Sequence, residues 1–287
     1  MRIKIIACET IKGEIIEASR TGPAASSGTP DRPSLDVSYT FLEHGLHRTP
    51  GLMKDRIQEH IDSTSDSDLV ILGYGLCSNG VLGVRARRCP IVMPRVDDCI
   101  ALFLGSREAY RREFTREPGT YYLTPGWINC GSDPLKTYHE YSKKYDRETA
   151  LWITREMMKN YTRVAYIETG ASEERVKTWA PGTGISQAAR EPIGNGGRVT
   201  DGDYRAYARD VAAFLGVRYE EIEGSLGFLK RLLGCSQGVV CKWDAWDKGC
   251  DLGDTWSRDE DLVLILPGEE LTMERMSIGG NSAVGLP

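Results

Sequence analysis

Three cysteines and one histidine follow short apolar segments of this chain. Cys8 comes directly after RIKIIA, and Cys77 follows LVIL and a glycine-rich turn. Cys99 follows IVMP, and His47 comes a few residues after VSYTFL. Thiolate and imidazole are ligands that Zn²⁺ favours, and three cysteines with one histidine form a recognised tetrahedral site. Three thiolates can equally hold an iron–sulfur cluster. The sequence therefore predicts one metal site with zinc, or alternatively a [4Fe–4S] cluster, as its cofactor.

The apolar segments before these residues are typical of buried parallel strands. They lie at 2–7, 37–42, 69–72 and 91–93. In an open parallel sheet, ligands bind beyond the carboxyl ends of the strands. We therefore expect the four residues to converge at one edge of a sheet, although no paired CxxC motif joins them.

Other interpretations of the cysteines remain open. Eight cysteines in a reducing compartment need a reason other than disulfides. A reactive thiol without metal is one alternative, and buried structural cysteines are another, which suits Cys89 and Cys235. Cys241 and Cys250 flank the segment WDAWDKG and could form a second metal or redox pair, but two ligands alone are weak evidence.

Polar residues and glycines lie close to the predicted site in sequence. Glu9 and Asp98 could accept protons or hold the metal ligands in place. Gly75 would let the backbone approach a ligand closely, and Asn79 in the same turn is a second candidate for cofactor binding. Arg95 could bind an anionic group. The competing interpretations are solvated loop carboxylates, ordinary turn residues and a surface salt bridge.

The second half of the chain has strand-end turns of its own, TPGW and IETG. Tyr122, Trp127 and Glu168 lie in or beside these turns. They could form the opposite wall of a cleft, with Trp127 contacting the cofactor and Glu168 as a catalytic carboxylate. Core aromatic residues and a structural carboxylate are the alternative.

The alternation of strands and helices predicts an α/β fold with mostly parallel sheets. We expect two similar three-layer α/β/α halves facing each other across a cleft. The N-terminal half, 1–115, would carry the Cys/His site, and the C-terminal half, 116–287, would contain insertions near 171–202 and 236–258. Residues 12–34 contain a Pro/Gly/Ser-rich stretch and are predicted to form a loop. Strands of the second half are predicted within 120–128, 164–168, 219–224 and 261–268.

Composition and missing motifs exclude several classes of function. The net charge is −5 and there is no basic stripe, so nucleic acid and anionic membranes are poor partners. No signal peptide and no apolar run of membrane-spanning length is present, which predicts a cytoplasmic protein. We expect it to act on a small-molecule substrate. The nucleotide-binding glycine motifs, HExxH and the corrinoid motif DxHxxG are all missing.

Five segments carry a resemblance to a known family: IACE, LEHGLHRTP, LVILGYGLCSNGVLGVRAR, PIVMPRVDDCIALFLGSRE and PGTYYLTPGWI. They resemble domain of unknown function 1638, found in methanogens and other anaerobes. The likeness is close over most of 1–128 and looser through VAYIETG, 205–233 and the final LVLILPG. The candidate residues in these segments are Cys8, His47, Cys77, Asp98 and Cys99.

The resemblance implies a role in methyl-group metabolism, because genes of this family often lie beside those of corrinoid-dependent methyltransferases. It names no mechanism. We therefore expect a metal-thiolate enzyme of anaerobic one-carbon metabolism, in which a zinc-activated thiol or a corrinoid partner protein accepts a methyl group. The alternatives are an iron–sulfur protein with a redox or lyase role, and a non-catalytic protein that delivers metal or cofactor to a corrinoid methyltransferase.

Overall fold

A computed structural model describes residues 1–21, 36–171, 204–234 and 259–277. The strands are β1 (Arg2–Cys8), β2 (Asp36–Leu42), β3 (Leu69–Gly73), β4 (Ile91–Pro94), β5 (Thr120–Leu123), β6 (Arg163–Glu168), β7 (Arg218–Glu223) and β8 (Leu262–Ile265). The helices used below are α1 (Lys12–Thr21), α2 (Pro50–Asp62), α3 (Ile100–Leu104), α4 (Arg107–Arg116), α5 (Pro125–Cys130), α6 (Pro134–Ser142), α7 (Arg147–Met157) and α8 (Tyr204–Leu215). The predicted α/β fold is confirmed. Within these ranges, no helix is long and apolar enough to cross a membrane.

The first sheet contains five strands in the order β2-β1-β3-β4-β8. The first four are parallel, and β8 is antiparallel to β4. Every residue of β3 is buried, as expected for a central strand covered on both faces. Because β1, β3 and β4 are neighbours in the sheet, the loops that follow them leave from one edge.

Side chains of β1 alternate between the two faces of this sheet. Ile3 and Ile5 belong to a core that includes residues of α1 and α3. Ile6 points to the other face and belongs to the core that contains Met53 and Ile57 of α2. Helices therefore cover both faces, and the layers are α/β/α.

The second sheet is smaller and contains three parallel strands in the order β5-β6-β7. One face packs on α8, where Val164 and Tyr166 of β6 meet Ala208 and Val211. Ile167, on the alternate face of β6, lies in the same core as β1 and α3. The two sheets are thus joined through a shared hydrophobic core.

Two elements differ from the sequence predictions. The last strand, β8, comes from the C-terminal part of the chain but is an edge strand of the first sheet. The predicted loop over 12–34 is wrong for its first ten residues, which form α1, because Ile15, Ile16 and Ala18 bury an apolar stripe that stabilises a helix. The predicted insertions near 171–202 and 236–258 lie almost entirely outside the described residues.

A glycine makes a close contact between the two halves. Gly126 in α5 lies against the carbonyl oxygen of Thr10, and a methyl group at Gly126 would overlap that oxygen. This contact holds α5 beside Cys8 and Glu9, the last residue of β1 and the residue after it.

We expect Gly126→Ala to lower the free energy of unfolding by about 1–3 kcal/mol or more, because α5 must shift away from the backbone of Thr10. Urea denaturation measures the effect. Gly51→Ala in α2 is the matched control, since a methyl group there meets nothing within 4 Å, and it should be neutral or slightly stabilising. Equal stability of the two variants would show that the halves do not depend on this contact.

Candidate metal-thiolate centre

Three thiols follow three adjacent strands at the carboxyl edge of the first sheet. Cys8 is the last residue of β1, Cys77 follows β3, and Cys99 precedes α3 after β4. The loops after β3 and β4 remain paired, because the backbone N–H of Cys77 donates to the carbonyl oxygen of Asp97 at 2.9 Å. All the described cysteines are free thiols: Cys8, Cys77, Cys89, Cys99 and Cys130.

The three thiols influence one another electrostatically. Burial raises the pKa of Cys77 to about 12, and the charges of Cys8 and Asp98 add to the shift. Burial also raises the pKa of Cys99, with further contributions from Asp98, Cys77 and Cys8. The hydroxyl of Thr10 donates a hydrogen bond to Sγ of Cys8 at 3.1 Å, although burial still raises the pKa of this thiol. A cation bound beside these thiols would counter the upward shifts, because thiophilic metals bind the thiolate form.

The turn that carries Cys77 has an uncommon backbone. Cys77, Ser78 and Asn79 all have positive φ, at 46°, 58° and 65°. Such conformations are sparse for residues with a Cβ and persist where the surroundings impose them. Gly75 is part of that constraint, since a Cβ there would lie 2.8 Å from the backbone of Asp98. The loops that bear Cys77 and Cys99 are therefore packed tightly against each other.

The histidine predicted as the fourth ligand has other neighbours. The ring of His47 lies 5.2 Å from that of His44 and 6.2 Å from that of Trp127. Across the described ranges, no three His, Cys, Asp or Glu side chains are arranged to hold a metal ion. The three thiols lie at one sheet edge, but a four-ligand metal site of Cys8, His47, Cys77 and Cys99 stays a prediction.

Glu9 and Trp127 both contact His44. The backbone N–H of His44 donates to Oε1 of Glu9 at 2.6 Å, and its ring packs edge-on against Trp127 at 4.7 Å between centroids. Burial raises the pKa of Glu9. Burial, together with the positive charges of His47, Arg48 and Lys136, lowers the pKa of His44 to about 4. Trp127, which the sequence predicts in the opposite wall of a cleft, therefore lies beside Glu9, the residue that follows Cys8.

Stability should depend on pH through His44. The pKa of its imidazole is about 4 when folded and near 6.5 when unfolded, so the unfolded chain binds the extra proton between these values. The stability that depends on a neutral His44 is complete above pH 6.5 and is lost as pH falls toward 4. Because the ring is partly exposed, solvent screening limits the loss to about 1–2 kcal/mol.

Urea denaturation at pH 7 and pH 4.5 tests this, with His44→Gln as the reference that cannot titrate. We expect wild type to lose more stability than the variant on acidification. Parallel losses would contradict the lowered pKa.

Asp98 is held by two donors beside Cys99. Its Oδ1 accepts the backbone N–H of Ile100 at 2.8 Å, and its Oδ2 accepts the hydroxyl of Tyr110 at 3.1 Å. Burial nevertheless raises the pKa of this carboxyl. The ring of Tyr122 lies 6.5 Å from that of Tyr110. A second carboxyl whose pKa is raised by burial thus adjoins the thiols.

Two other predicted site residues make contacts away from the thiols. Glu168 accepts a hydrogen bond from Arg205 at 3.1 Å and lies near the surface. The backbone N–H of Arg95 donates to the carbonyl oxygen of Asp261 at the junction with β8. The contacts that the structure gives Glu168 and Arg95 do not include the cysteines.

Sequence reasoning passed over three residues of this region. Tyr74 lies in the glycine turn between β3 and Cys77, and the charges of Cys8, Cys77 and Glu9 act on its hydroxyl. His44 precedes His47 by one turn, and Tyr110 lies on α4. A search for every polar residue within a few positions of a strand end would have found Tyr74 and His44. Tyr110 depends on how α4 packs, which no local pattern shows.

Comparison with known proteins places one part of the chain. Residues 41–178 match the model of DUF1638, a family of proteins of unknown function. The match covers just under half of the 287 residues and confirms the resemblance seen in the sequence. No curated protein and no solved structure matches the chain.

The DUF1638 match includes most of the candidate centre. His47, Cys77, Asp98 and Cys99 lie inside it, whereas Cys8 and Glu9 lie before its first residue. The structure joins the two parts, because β1 pairs with β3 along its length. Cys235, Cys241 and Cys250 lie outside both the match and the described residues.

Proposed function

We propose that this protein is a metal-thiolate enzyme of one-carbon metabolism, with Cys8, Cys77 and Cys99 as the thiolate ligands. One observation carries the proposal: three free thiols follow three adjacent parallel strands at one edge of the sheet. A cytoplasmic location fits, because these thiols must stay reduced.

The surrounding residues support a centre built for a ligand. The strained backbone of Cys77 is fixed by the close packing of Gly75 on Asp98, and strain of this kind concentrates at functional sites. Thr10 already donates to Sγ of Cys8. These features orient the sulfurs, whereas buried structural cysteines need neither.

The chemistry we propose is methyl transfer to a thiol. A bound zinc ion would lower the pKa of a substrate thiol and leave a thiolate ready to react. Glu9 or Asp98, whose pKa values burial raises, would accept the thiol proton. The sulfur then attacks the methyl carbon, a C–S bond forms, and the electron pair of the broken methyl bond stays with the donor. That donor would be a corrinoid partner protein.

An iron–sulfur centre is the second candidate, because three free thiols at one sheet edge could hold a cluster as well as a zinc ion. A cluster spans a wider set of cysteines than zinc, whose bonds to sulfur are about 2.3 Å. Its open iron would serve redox or lyase chemistry.

Anaerobic purification followed by absorbance separates the two candidates. A colourless protein with bound zinc supports the first, and a brown protein with iron and sulfide supports the second. Methyl transfer from a methylated corrinoid protein to a small thiol then tests the enzyme itself. Bound metal without turnover would instead indicate an accessory protein. His47→Ala decides the fourth ligand, since metal loss equal to that of a cysteine variant assigns it.

A further inference from the structure

Tyr74 is buried beside the thiols with an unsatisfied hydroxyl. Its side chain is 3 % exposed and belongs to the core that contains Met53 and Val81. Within the described ranges, its hydroxyl oxygen is buried and has no hydrogen-bond partner. Buried tyrosine hydroxyls normally find a partner, and leaving one unpaired costs about 1–3 kcal/mol. A hydroxyl kept in this state points to a ligand that completes it.

The neighbours of Tyr74 show where that ligand would lie. Cys8 and Cys77 pack against the same core as Tyr74, and Ala7 pairs with Gly73, so Cys8 and Tyr74 directly follow paired residues of adjacent strands. Burial raises the pKa of Tyr74, and the charges of Cys8, Cys77 and Glu9 add to the shift. None of the three accepts its hydrogen bond. Oε1 of Glu9 already accepts the backbone N–H of His44. The missing acceptor therefore lies next to Cys8 and Cys77.

We propose that the Tyr74 hydroxyl donates a hydrogen bond to the sulfur of a small alkyl thiol that binds at the metal-thiolate centre. This inference rests on the proposed function and names its substrate class. The surrounding core supports it, since one O–H donor among apolar side chains such as Met53 and Val81 suits a soft ligand with an apolar body. A phosphate or polycarboxylate would need several donors or positive charges.

Tyr74→Phe removes only the hydroxyl and tests the inference. We expect the variant to keep the metal content of wild type and to melt at the same temperature or higher, because no internal hydrogen bond is lost. Binding of 2-mercaptoethanol to anaerobically purified, metal-containing protein, measured by calorimetry, should weaken about tenfold to a hundredfold, as for a hydrogen bond to a charged group. Tyr166→Phe, in the separate core of the second sheet, is the control and should bind the thiol like wild type.

Every outcome of these measurements supports or overturns the inference. Wild-type affinity in Tyr74→Phe overturns the inference, and so does a lower melting temperature or metal content, because the hydroxyl then has a structural partner. Wild-type protein that holds metal but does not bind 2-mercaptoethanol overturns the inference while the metal centre stands. Wild-type protein without metal overturns the proposed centre itself.

Discussion

Arg163→Ala is expected to lower the free energy of unfolding by about 3–5 kcal/mol, the usual effect of removing one partner of a buried ion pair. Arg163 is fully buried in β6. Its guanidinium donates to Glu220 at 2.7 Å, to Glu113 at 3.0 Å and to the hydroxyl of Thr120. Without it, Glu113 and Glu220 on different elements would lose their buried cation and keep only the half-exposed Arg116 between them. Because Glu113 lies on α4, the change also loosens the helix that holds Tyr110 against Asp98.

Arg116→Ala is the matched control for that experiment. Arg116 contacts the same two carboxylates, Glu113 and Glu220, but its side chain is about half exposed. Surface ion pairs contribute about 0–1 kcal/mol, so this variant should unfold almost like wild type. Similar losses for both variants, measured by urea denaturation, would show that burial of Arg163 does not set the strength of the network.

The second large effect is on metal content. Alanine at Cys8, Cys77 or Cys99 should remove most of the bound metal, because a site with two remaining thiolates is badly incomplete. The three variants should behave alike in elemental analysis after anaerobic purification. This follows from their positions after three adjacent strands, where each supplies one sulfur.

Cys89→Ala is the control for the cysteine series. Cys89 is also a buried free thiol, and burial raises its pKa to about 11, but it precedes β4 and lies at the opposite end of that strand. The variant should keep its metal and lose only about 1–2 kcal/mol of stability. Wild-type metal content in all three site variants would return Cys8, Cys77 and Cys99 to a structural role.

The first sheet was predictable because its parallel strands have a recognisable local sequence pattern. LVIL and IVM are short apolar runs between turn residues, and RIKIIA is similar. A fully buried parallel strand needs such a run, so the local pattern and the fold agree. Because ligands bind beyond the carboxyl ends of parallel strands, the sequence alone predicts that the three cysteines lie at one edge of the sheet.

The features that could not be predicted from the sequence depend on long-range packing. LVLI in β8 has the same apolar character as a central strand, and nothing local shows that it pairs antiparallel with β4. The α1 helix was hidden because its apolar stripe adjoins a Pro/Gly/Ser-rich stretch. Tyr110 reaches Asp98 only through the packing of α4. Contacts of this kind depend on tertiary structure, which no short window of sequence contains.

The central claim is that Cys8, Cys77 and Cys99 form one metal centre, and metal stoichiometry tests it most directly. Wild-type protein purified without oxygen and without added metal should contain about one zinc per chain, or iron and sulfide in equal amounts with a brown colour. Elemental analysis with a sulfide assay gives both values from one preparation. Protein with neither metal above background, even after incubation with zinc or with iron and sulfide under reducing conditions, would contradict the account.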